Sequence, residues 1–458
     1  MENSGIKRFA SEKTLFYLAS AILLLLPVVE IITALLSCHY KEFTPAFFQP
    51  FVFGAFGVFG TIVILIYKPC ELKAKETLGE WYPADFFYLV LVLFMILSAV
   101  FSTKPGLYSY GYIFNCENPV DFLGYYFMFF AGSKIRSIEY RKKIVVTLLI
   151  VEAVHGIFAF LETFNILIVL PLQIWHSGAA YGLTPNSNFY GGLSVFMLAC
   201  ASGVFLFSEF FCENKALKVM CAVFSGFILY TMMGSRARLA WPGFVVMIVF
   251  YLVSGLVMLK SNIDRAKLKR YFIRLFVLCA VFAAVFAVTF LFTDYISEEI
   301  SRTQWEADGT YDCGIGSNRL LLWQCGLESV PKHWATGIGL DNFRQVFYEK
   351  YGSVEKAFFK DQAHNEFIQV LVTQGVFAFA AYMFIYIRTV AVNVKKVFNG
   401  DDEESMALSW VFLAMFVTYL AQSFFNCSVI SVAPHFWLVL GLMNTCDRPL
   451  NNINKNII

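Results

Sequence analysis

Residues 272–293 read FIRLFVLCAVFAAVFAVTFLFT, an apolar run of roughly the twenty residues that a helix needs to cross the hydrocarbon core of a bilayer. A long polar stretch follows at residues 294–364, and a second long apolar run begins directly after it. This order predicts a membrane-embedded helical frame that is interrupted by one large solvated loop.

The whole chain has the composition of that run. Of its 458 residues, 58% are hydrophobic and only 15% are charged, and its mean hydropathy is +0.63. Soluble domains carry about a quarter charged residues. The composition therefore predicts an all-α polytopic membrane protein. A net charge of +2 without a basic block argues against a nucleic-acid partner.

The apolar runs recur from end to end, and about twelve of them are long enough to span a bilayer. They lie near residues 15–36, 46–67, 84–102, 119–133, 144–164, 189–210, 216–233, 239–259, 272–293, 365–390, 406–425 and 428–446. A further apolar segment, 165–176, is broken by Pro171, which favours an interfacial or re-entrant piece.

Basic residues orient these spans, because Lys and Arg are enriched in cytoplasmic loops. They concentrate in the N-terminus and in alternate loops: 68–80, 134–143, 260–274 and 388–404. Both termini are then cytoplasmic, and 103–118, 165–188, 232–238 and 294–364 lie outside. The predicted organisation is spans one to nine in 1–293, a large external loop in 294–364, spans ten to twelve in 365–446 and a cytoplasmic tail in 447–458.

The large loop is predicted to be partly helical. Ser317 could cap a first helix, with a buried stripe of Leu320, Trp323, Leu327 and Val330. After a turn at Gly337 and Gly339, Asp341 could cap a second helix whose stripe is Phe343, Val346 and Phe347.

The eleven cysteines are scattered, without a CxxC pair or a Cys/His cluster. No metal site or cofactor is therefore predicted. Cys313 and Cys325 share the large loop, and whether they pair is left open by the sequence.

Arg236 and Arg238 lie in the short outer turn between two spans. Positive charge outside runs against the usual bias. One interpretation is an anchor that reaches the lipid headgroups. The other is an anion clamp, because the planar guanidinium donates two parallel hydrogen bonds to phosphate.

Arg319 would lie in the first turn of the first loop helix, and His364 and Asn365 begin the next span. Alone, these are an ordinary loop Arg and an interfacial His. The positive end of a helix dipole, however, favours a neutral imidazole and attracts anions. His364 could therefore accept a proton. Glu366 is the competing base, and Asn365 could orient either group.

The stretch TPNSNFYGG (184–192) opens another span. Asn186 and Asn188 could bind sugar hydroxyls or simply cap the helix. Glu30, Glu152 and Glu162 lie in or near spans, where acids are costly and often functional. Glu152 and His155 are one helical turn apart and could satisfy each other.

Four motifs taken together resemble a known family. GSRAR (234–238) begins a span, SNRLLLW (317–323) and P-x4-TGIGLDNF (331–343) follow in the loop, and AHNEFIQVL-x2-QG (363–375) enters the next span. Their order, their separations of roughly eighty and forty-five residues and their outward placement resemble the O-antigen ligase and O-antigen polymerase superfamily. That family usually carries a small or apolar residue where Arg238 stands, so Arg236 is the favoured anion ligand.

The resemblance implies a fold of the GT-C type and a metal-independent, inverting glycosyltransferase of the bacterial inner membrane, with its active site on the outer face. Such enzymes transfer a glycan from undecaprenyl pyrophosphate to a hydroxyl of a glycan or lipid-linked acceptor. The resemblance implies that Arg236 and Arg319, with Arg238, grip the pyrophosphate. His364 would bind it too or act as the base. No cofactor is implied, and ligase and polymerase are not separated.

The rival interpretation is a transporter, such as a flippase of lipid-linked oligosaccharides. About twelve spans and intramembrane acids suit it. Transporters, however, usually have paired halves and a site at mid-membrane, whereas the long loop here lies between spans nine and ten.

Overall fold

A computed structural model describes residues 12–39, 54–55, 57–60, 62, 83–103, 119–166, 178–211, 214–260, 263–307, 319–340, 342–351, 362–399 and 402–445. Within these ranges the chain is helical and contains no strand. The predicted all-α class is confirmed.

The helices are numbered in chain order. They are α1 (Glu12–His39), α2 (Pro83–Val100), α3 (Pro119–Lys134), α4 (Ile138–Thr163), α5 (Ser187–Leu206), α6 (Ser208–Phe211), α7 (Lys215–Gly234), α8 (Ala240–Met258), α9 (Arg265–Phe292), α10 (Tyr295–Ala307), α11 (Arg319–Ser329), α12 (Phe343–Tyr351), α13 (Glu366–Asn399), α14 (Glu403–Ser423) and α15 (Ala433–Met443). A 3₁₀ turn, Val330–Lys332, follows α11.

Eight described helices are long and apolar enough to cross a membrane: α1, α4, α5, α7, α8, α9, α13 and α14. Helices α2 and α15 are apolar but shorter, and the fourth predicted span coincides with the 16-residue α3. Most of the second predicted span, 46–67, lies outside the described residues. The protein is thus a multi-pass membrane protein, while the count of about twelve spans and the sidedness of the loops stay predictions.

Helix α5 is the centre of the bundle and α9 is at its edge. The most apolar window of α5 is 94% buried against other helices, whereas that of α9 is 22% buried. The backbones of helices α3 and α15 approach each other closely, since a Cβ on Gly441 would lie 2.2 Å from the Phe129 carbonyl oxygen. Small residues permit such backbone contact between membrane helices.

Helix α13 is broken at Gly375, whose φ of 85° and ψ of 176° are not helical. The break leaves backbone groups to be satisfied, since a membrane interior offers no water. The loop after α11 supplies partners: the Ile338 amide donates to the Val372 carbonyl (3.0 Å), and the Gly339 amide donates to that of Thr373 (3.1 Å). Ser98 of α2 also donates to the Thr373 carbonyl (2.5 Å).

Glycine is required on both sides of this junction. Gly337 has a φ of 74°, and a Cβ there would lie 2.3 Å from the carbonyl carbon and oxygen of Thr373. A Cβ on Gly375 would lie 2.4 Å from the Ala335 carbonyl oxygen. The TGIG and QG motifs are therefore the two halves of one backbone-to-backbone contact between the loop and α13.

The loop has a small core of its own, formed by Leu322, Cys325, Ile338, Phe343, Phe347, Ala363 and Val372. The second predicted stripe is confirmed at Phe343 and Phe347. The first is confirmed at Trp323 and Val330, which pack partly buried against this core. It was wrong at Leu320 and Leu327, which are 69% and 45% exposed, whereas Leu322, Cys325 and Gly326 are buried.

The reason for the shifted face is Gly326, whose missing side chain lets α11 lie against Phe343 and Val372. Cys325 is a free thiol, and Cys313 lies outside the described residues, as do Ser317 and Asp341.

Candidate functional site

The turn between α7 and α8 carries the GSRAR motif. Ser235 donates from its hydroxyl to the Met232 carbonyl (2.6 Å), and Ala237 packs against Gly191 of α5, where a Cβ would lie 2.2 Å from that of Ala237. Arg236 is in the left-handed region, with a φ of 55°. That conformation costs a non-glycine residue about 1–3 kcal/mol and persists only where the surroundings enforce it.

Arg236 lies among acidic, aromatic and backbone groups. Its guanidinium donates to the Glu298 carboxylate of α10 and lies 5.0 Å from the centroid of the Tyr295 ring. Burial raises the pKa of Tyr295, so the phenol is neutral beside the cation. The guanidinium is thus preorganised, and it already holds an oxyanion in the form of a carboxylate.

A strap, residues 178–184, which is buried from Ala180 onward, passes beside this arginine. A Cβ on Gly178 would lie 3.1 Å from Arg236 Nη2. The Ala180 amide donates to the Gly234 carbonyl (2.8 Å), which fastens the strap to the end of α7. Glu162 accepts from the amides of Tyr181 (2.6 Å) and Gly182 (2.9 Å), so this acid holds the strap in place.

The two asparagines that follow the strap, Asn186 and Asn188, differ in their surroundings. Asn186 caps α5, since its side chain accepts from the Asn188 amide (2.9 Å), and Asn188 is exposed. The capping interpretation is confirmed for Asn186, while sugar binding by either residue stays a prediction. Tyr181 is buried, and burial, with the Glu162 carboxylate nearby, raises its pKa to about 12.

His364 occupies the last turn before α13 and is also left-handed, with a φ of 47°. Only four non-glycine residues in the described ranges have a positive φ, and two of them are Arg236 and His364. Such strain clusters at functional sites. It therefore supports the choice of these two residues independently of the motifs.

Asn365 fixes the turn that carries His364. Its side chain accepts from the Ile368 amide (3.1 Å), and the Gln369 side chain reaches back to accept from the Ala363 amide (2.8 Å). This reciprocal arrangement caps the amino end of α13, much as a capping box does. Asn365 is 3% exposed, so it orients the turn.

Arg319 is brought to the same turn by its helix. One turn after Arg319, Trp323 donates from its indole nitrogen to the Ala363 carbonyl (3.0 Å). Side chains four residues apart lie on one face of a helix. The face of α11 that carries Arg319 is therefore tied to the residue that precedes His364.

The α7–α8 turn lies at the same end of the bundle. Helix α8 packs on α14 near its start, where a Cβ on Gly243 would lie 3.2 Å from the Thr418 carbonyl oxygen. Phe424, just past the end of α14, has its ring 4.8 Å from that of Phe367 in the first turn of α13. Arg236, half-buried Arg238, Arg319 and His364 thus belong to one end of the protein.

Glu366, the competing base, is enclosed by phenols that the sequence interpretation missed. It accepts hydrogen bonds from Tyr382, from Tyr419 (2.9 Å) and from Tyr386 (3.5 Å). It is 4% exposed. The spacing of four between Tyr382 and Tyr386 places both on one helix face, a signal that could have indicated this cage.

The other intramembrane acids also have partners. His155 donates to the Gly182 carbonyl and lies 3.6 Å from Glu30, while Glu152 accepts from Tyr190 (3.4 Å). The suggestion that Glu152 and His155 could satisfy each other is therefore wrong, since each has other partners. The reason is that α1, α5 and the strap all reach this face of α4.

Four elements at this end of the protein come from one continuous stretch of sequence. They are the α7–α8 turn, α11, the loop that contains Gly337 and Gly339, and the start of α13. Residues 223–383 match the family model for O-antigen ligase. The resemblance is confirmed. The O-antigen ligase region spans about a third of the chain and contains Arg236, Arg238, Arg319, His364 and Asn365, but not Asn186 or Asn188. No curated protein matches this chain.

No group of three or more His, Cys, Asp or Glu side chains among the described residues could hold a metal ion. Among the described residues, this end of the protein instead carries the arginines Arg236, Arg238 and Arg319. Cations of that kind bind phosphate oxygens by charge-assisted hydrogen bonds.

Proposed function

We propose that this protein is a membrane glycosyltransferase of the O-antigen ligase or polymerase type. It transfers a glycan from undecaprenyl pyrophosphate to a hydroxyl of a glycan or lipid-linked acceptor, on the outer face of the bacterial inner membrane, with both termini cytoplasmic. The observation that carries the proposal is the left-handed pair Arg236 and His364 within the region that matches the family.

The reaction begins when the acceptor oxygen attacks the anomeric carbon of the donor glycan. The bond from that carbon to the phosphate oxygen breaks, and the pyrophosphate leaves with the electron pair. Attack opposite the leaving group inverts the configuration. Negative charge grows on the leaving group, so cations fixed in advance lower the barrier.

Arg236 and Arg319 supply those cations, with Arg238 in support, and the reaction then needs no metal. Arg236 is held in place by Tyr295 and by its strained turn, so little reorganisation is required when the diphosphate replaces Glu298. The amino end of α13 adds its dipole.

His364 has two possible roles that one experiment separates. As a general base it takes the proton from the acceptor hydroxyl, and as a ligand it donates to the pyrophosphate. If it is the base, His364→Ala abolishes transfer and leaves the affinity for undecaprenyl pyrophosphate unchanged. If it is a ligand, both fall.

The test of the function is complementation of a deletion strain, with surface polymer as the readout. Arg236→Ala, Arg319→Ala and His364→Ala should each insert normally and abolish polymer transfer. Arg344→Ala and His333→Ala are matched controls from the same loop, and Arg344 also lies over a tyrosine ring, that of Tyr348 at 5.8 Å. Wild-type polymer from the first three variants would refute the proposal.

A flippase of lipid-linked oligosaccharides is the second candidate, and the buried titratable groups Glu30, Glu152 and His155 favour it, since such groups line transport pathways. The two candidates differ in product. A glycosyltransferase releases undecaprenyl pyrophosphate when purified protein meets donor and acceptor in detergent. A flippase releases none and needs a sealed bilayer.

A further inference from the structure

A cleft runs along α13 beside the His364 turn. It contains about 520 Å³ of space between atoms, part of which is open solvent. Glu366, Gln369, Val370, Thr373 and Gln374 line one wall. Their spacing of three and four places them on one face of the helix.

Gln374 is the residue that indicates a ligand. It is 4% exposed and lines the cleft, and its side-chain oxygen has no hydrogen-bond partner among the described residues. A buried acceptor without a donor is costly. The cleft therefore favours a ligand that brings a hydrogen-bond donor to Gln374.

The rest of the lining narrows the chemistry of that ligand. Half of the lining residues are Gln, Glu, Thr or Ser, and the aromatic rings of Phe122, Tyr382 and Trp437 complete the wall. A polyprenyl chain would leave the buried polar groups unpaired. Sugars fit better, because their hydroxyls bond to amides and carboxylates while their C–H faces pack on aromatic rings.

The position of the cleft links it to the reacting groups. Gln362 and Leu340 line it; the first lies two residues before His364, and the second belongs to the loop that docks on the break in α13. A sugar in the cleft therefore extends toward the His364 turn.

We propose that this cleft is a sugar-binding subsite in which the Gln374 side-chain oxygen accepts a hydrogen bond from a sugar hydroxyl. The proposal rests on the proposed function, which supplies glycans to this end of the protein. The sugar comes either from the donor glycan or from the acceptor, and the experiment separates these sources.

The experiment measures equilibrium binding to the purified full-length chain in detergent. Three probes are used: undecaprenyl pyrophosphate, the undecaprenyl-pyrophosphate-linked glycan extracted from the deletion strain, and the free oligosaccharide released from it by mild acid. Gln374→Met removes the polar end at nearly constant size. Gln422→Met is the matched control, because Gln422 is also buried with an unpartnered oxygen in the described part of the chain but lies outside the cleft.

The loss of one neutral hydrogen bond predicts that Gln374→Met weakens sugar binding about five-fold, with Gln422→Met unchanged. Weaker binding of the free oligosaccharide identifies the acceptor as the source. In wild type, the linked glycan should bind more tightly than undecaprenyl pyrophosphate alone. If Gln374→Met reduces this difference in affinity, the donor glycan is the source of the sugar. If neither quantity changes, or if both variants change them equally, the subsite is refuted.

Arg236→Ala keeps this test apart from that of the function. This variant should weaken the binding of undecaprenyl pyrophosphate and leave the binding of the free oligosaccharide unaffected. If Arg236→Ala leaves undecaprenyl pyrophosphate binding unchanged, the proposed function fails. If Arg236→Ala weakens undecaprenyl pyrophosphate binding as expected but Gln374→Met does not weaken sugar binding, the proposed function stands and the sugar-binding subsite is refuted.

Discussion

Replacing Gly337 with alanine should undock the loop that follows α11 from the break in α13. The alanine Cβ would lie 2.3 Å from the Thr373 carbonyl group, which is backbone and has no side-chain freedom to yield. The left-handed φ of 74° costs alanine about a further 1–2 kcal/mol. The loop must therefore move.

The size of the effect follows from the bonds that the movement breaks. The Ile338 and Gly339 amides lose the Val372 and Thr373 carbonyls, at about 1 kcal/mol for each hydrogen bond. Together with the strain, the docked state loses about 3 kcal/mol, which raises the population of the undocked state roughly 100-fold.

Alkylation of Cys325 reports that population. Its thiol is 1% exposed in the core of the loop, and burial raises its pKa, so it reacts only when the loop opens. The labelling rate of the Cys325 peptide with a maleimide, read by mass spectrometry, should rise roughly 100-fold in Gly337→Ala. Gly192→Ala is the control, since that glycine lies in helix α5, outside the loop core, and its Cβ would meet only side-chain atoms at 3.0 Å and beyond. Equal labelling rates in the two variants would refute the reasoning.

Three further outcomes are expected. Trp323→Phe keeps an aromatic ring but removes the hydrogen bond to the Ala363 carbonyl. The rate of glycan transfer should therefore fall several-fold without loss of folded protein. An unchanged rate would mean that this hydrogen bond does not position the His364 turn. Glu298→Gln removes the carboxylate that competes for Arg236. Because a half-exposed ion pair is worth about 0.2–1 kcal/mol, undecaprenyl pyrophosphate should bind about 1.4- to 5-fold more tightly, whereas weaker binding would contradict the competition. Hydrogen bonding from Lys218, with that from Arg274, lowers the pKa of Glu209 to about 2. The stability that ionised Glu209 gives the fold is therefore complete above the ordinary pKa of 4.5 and is lost as the pH falls from there toward 2. Thermal unfolding of Glu209→Gln should depend less on pH over this interval than that of the wild type, and parallel curves would argue against the shift.

The sequence predicts the helical frame well because membrane spans are long, apolar and local. The runs near 144–164, 216–233, 239–259 and 272–293 correspond to α4, α7, α8 and α9. Helices α7 and α8 agree with the prediction within one residue at each end, whereas α4 and α9 begin earlier, at Ile138 and Arg265. Length and hydropathy decide such elements without reference to the rest of the fold.

The loop helix α11 shows where the sequence is insufficient. Its predicted stripe included Leu320 and Leu327, which are exposed, because its burial is set by contacts with Phe343 and Val372 rather than by its own periodicity. A short helix with apolar residues on several faces has no single preferred side until its neighbours are known.

The candidate site is predicted from the sequence less completely than the membrane helices but better than the buried face of α11. Motif spacing indicates Arg236, Arg319 and His364, but not the left-handed backbone of two of them. The tyrosines around Glu366 come from two helices, and one of them, Tyr419, is distant in sequence. Contacts of that kind depend on how α13 packs against α14, which no local pattern records.

The most direct test of the account is a structure of the protein with undecaprenyl pyrophosphate bound. The diphosphate should lie within hydrogen-bond distance of Arg236, Arg319 and His364 at once, with Glu298 displaced from Arg236. A diphosphate bound elsewhere, or one that contacts none of these three side chains, would contradict it.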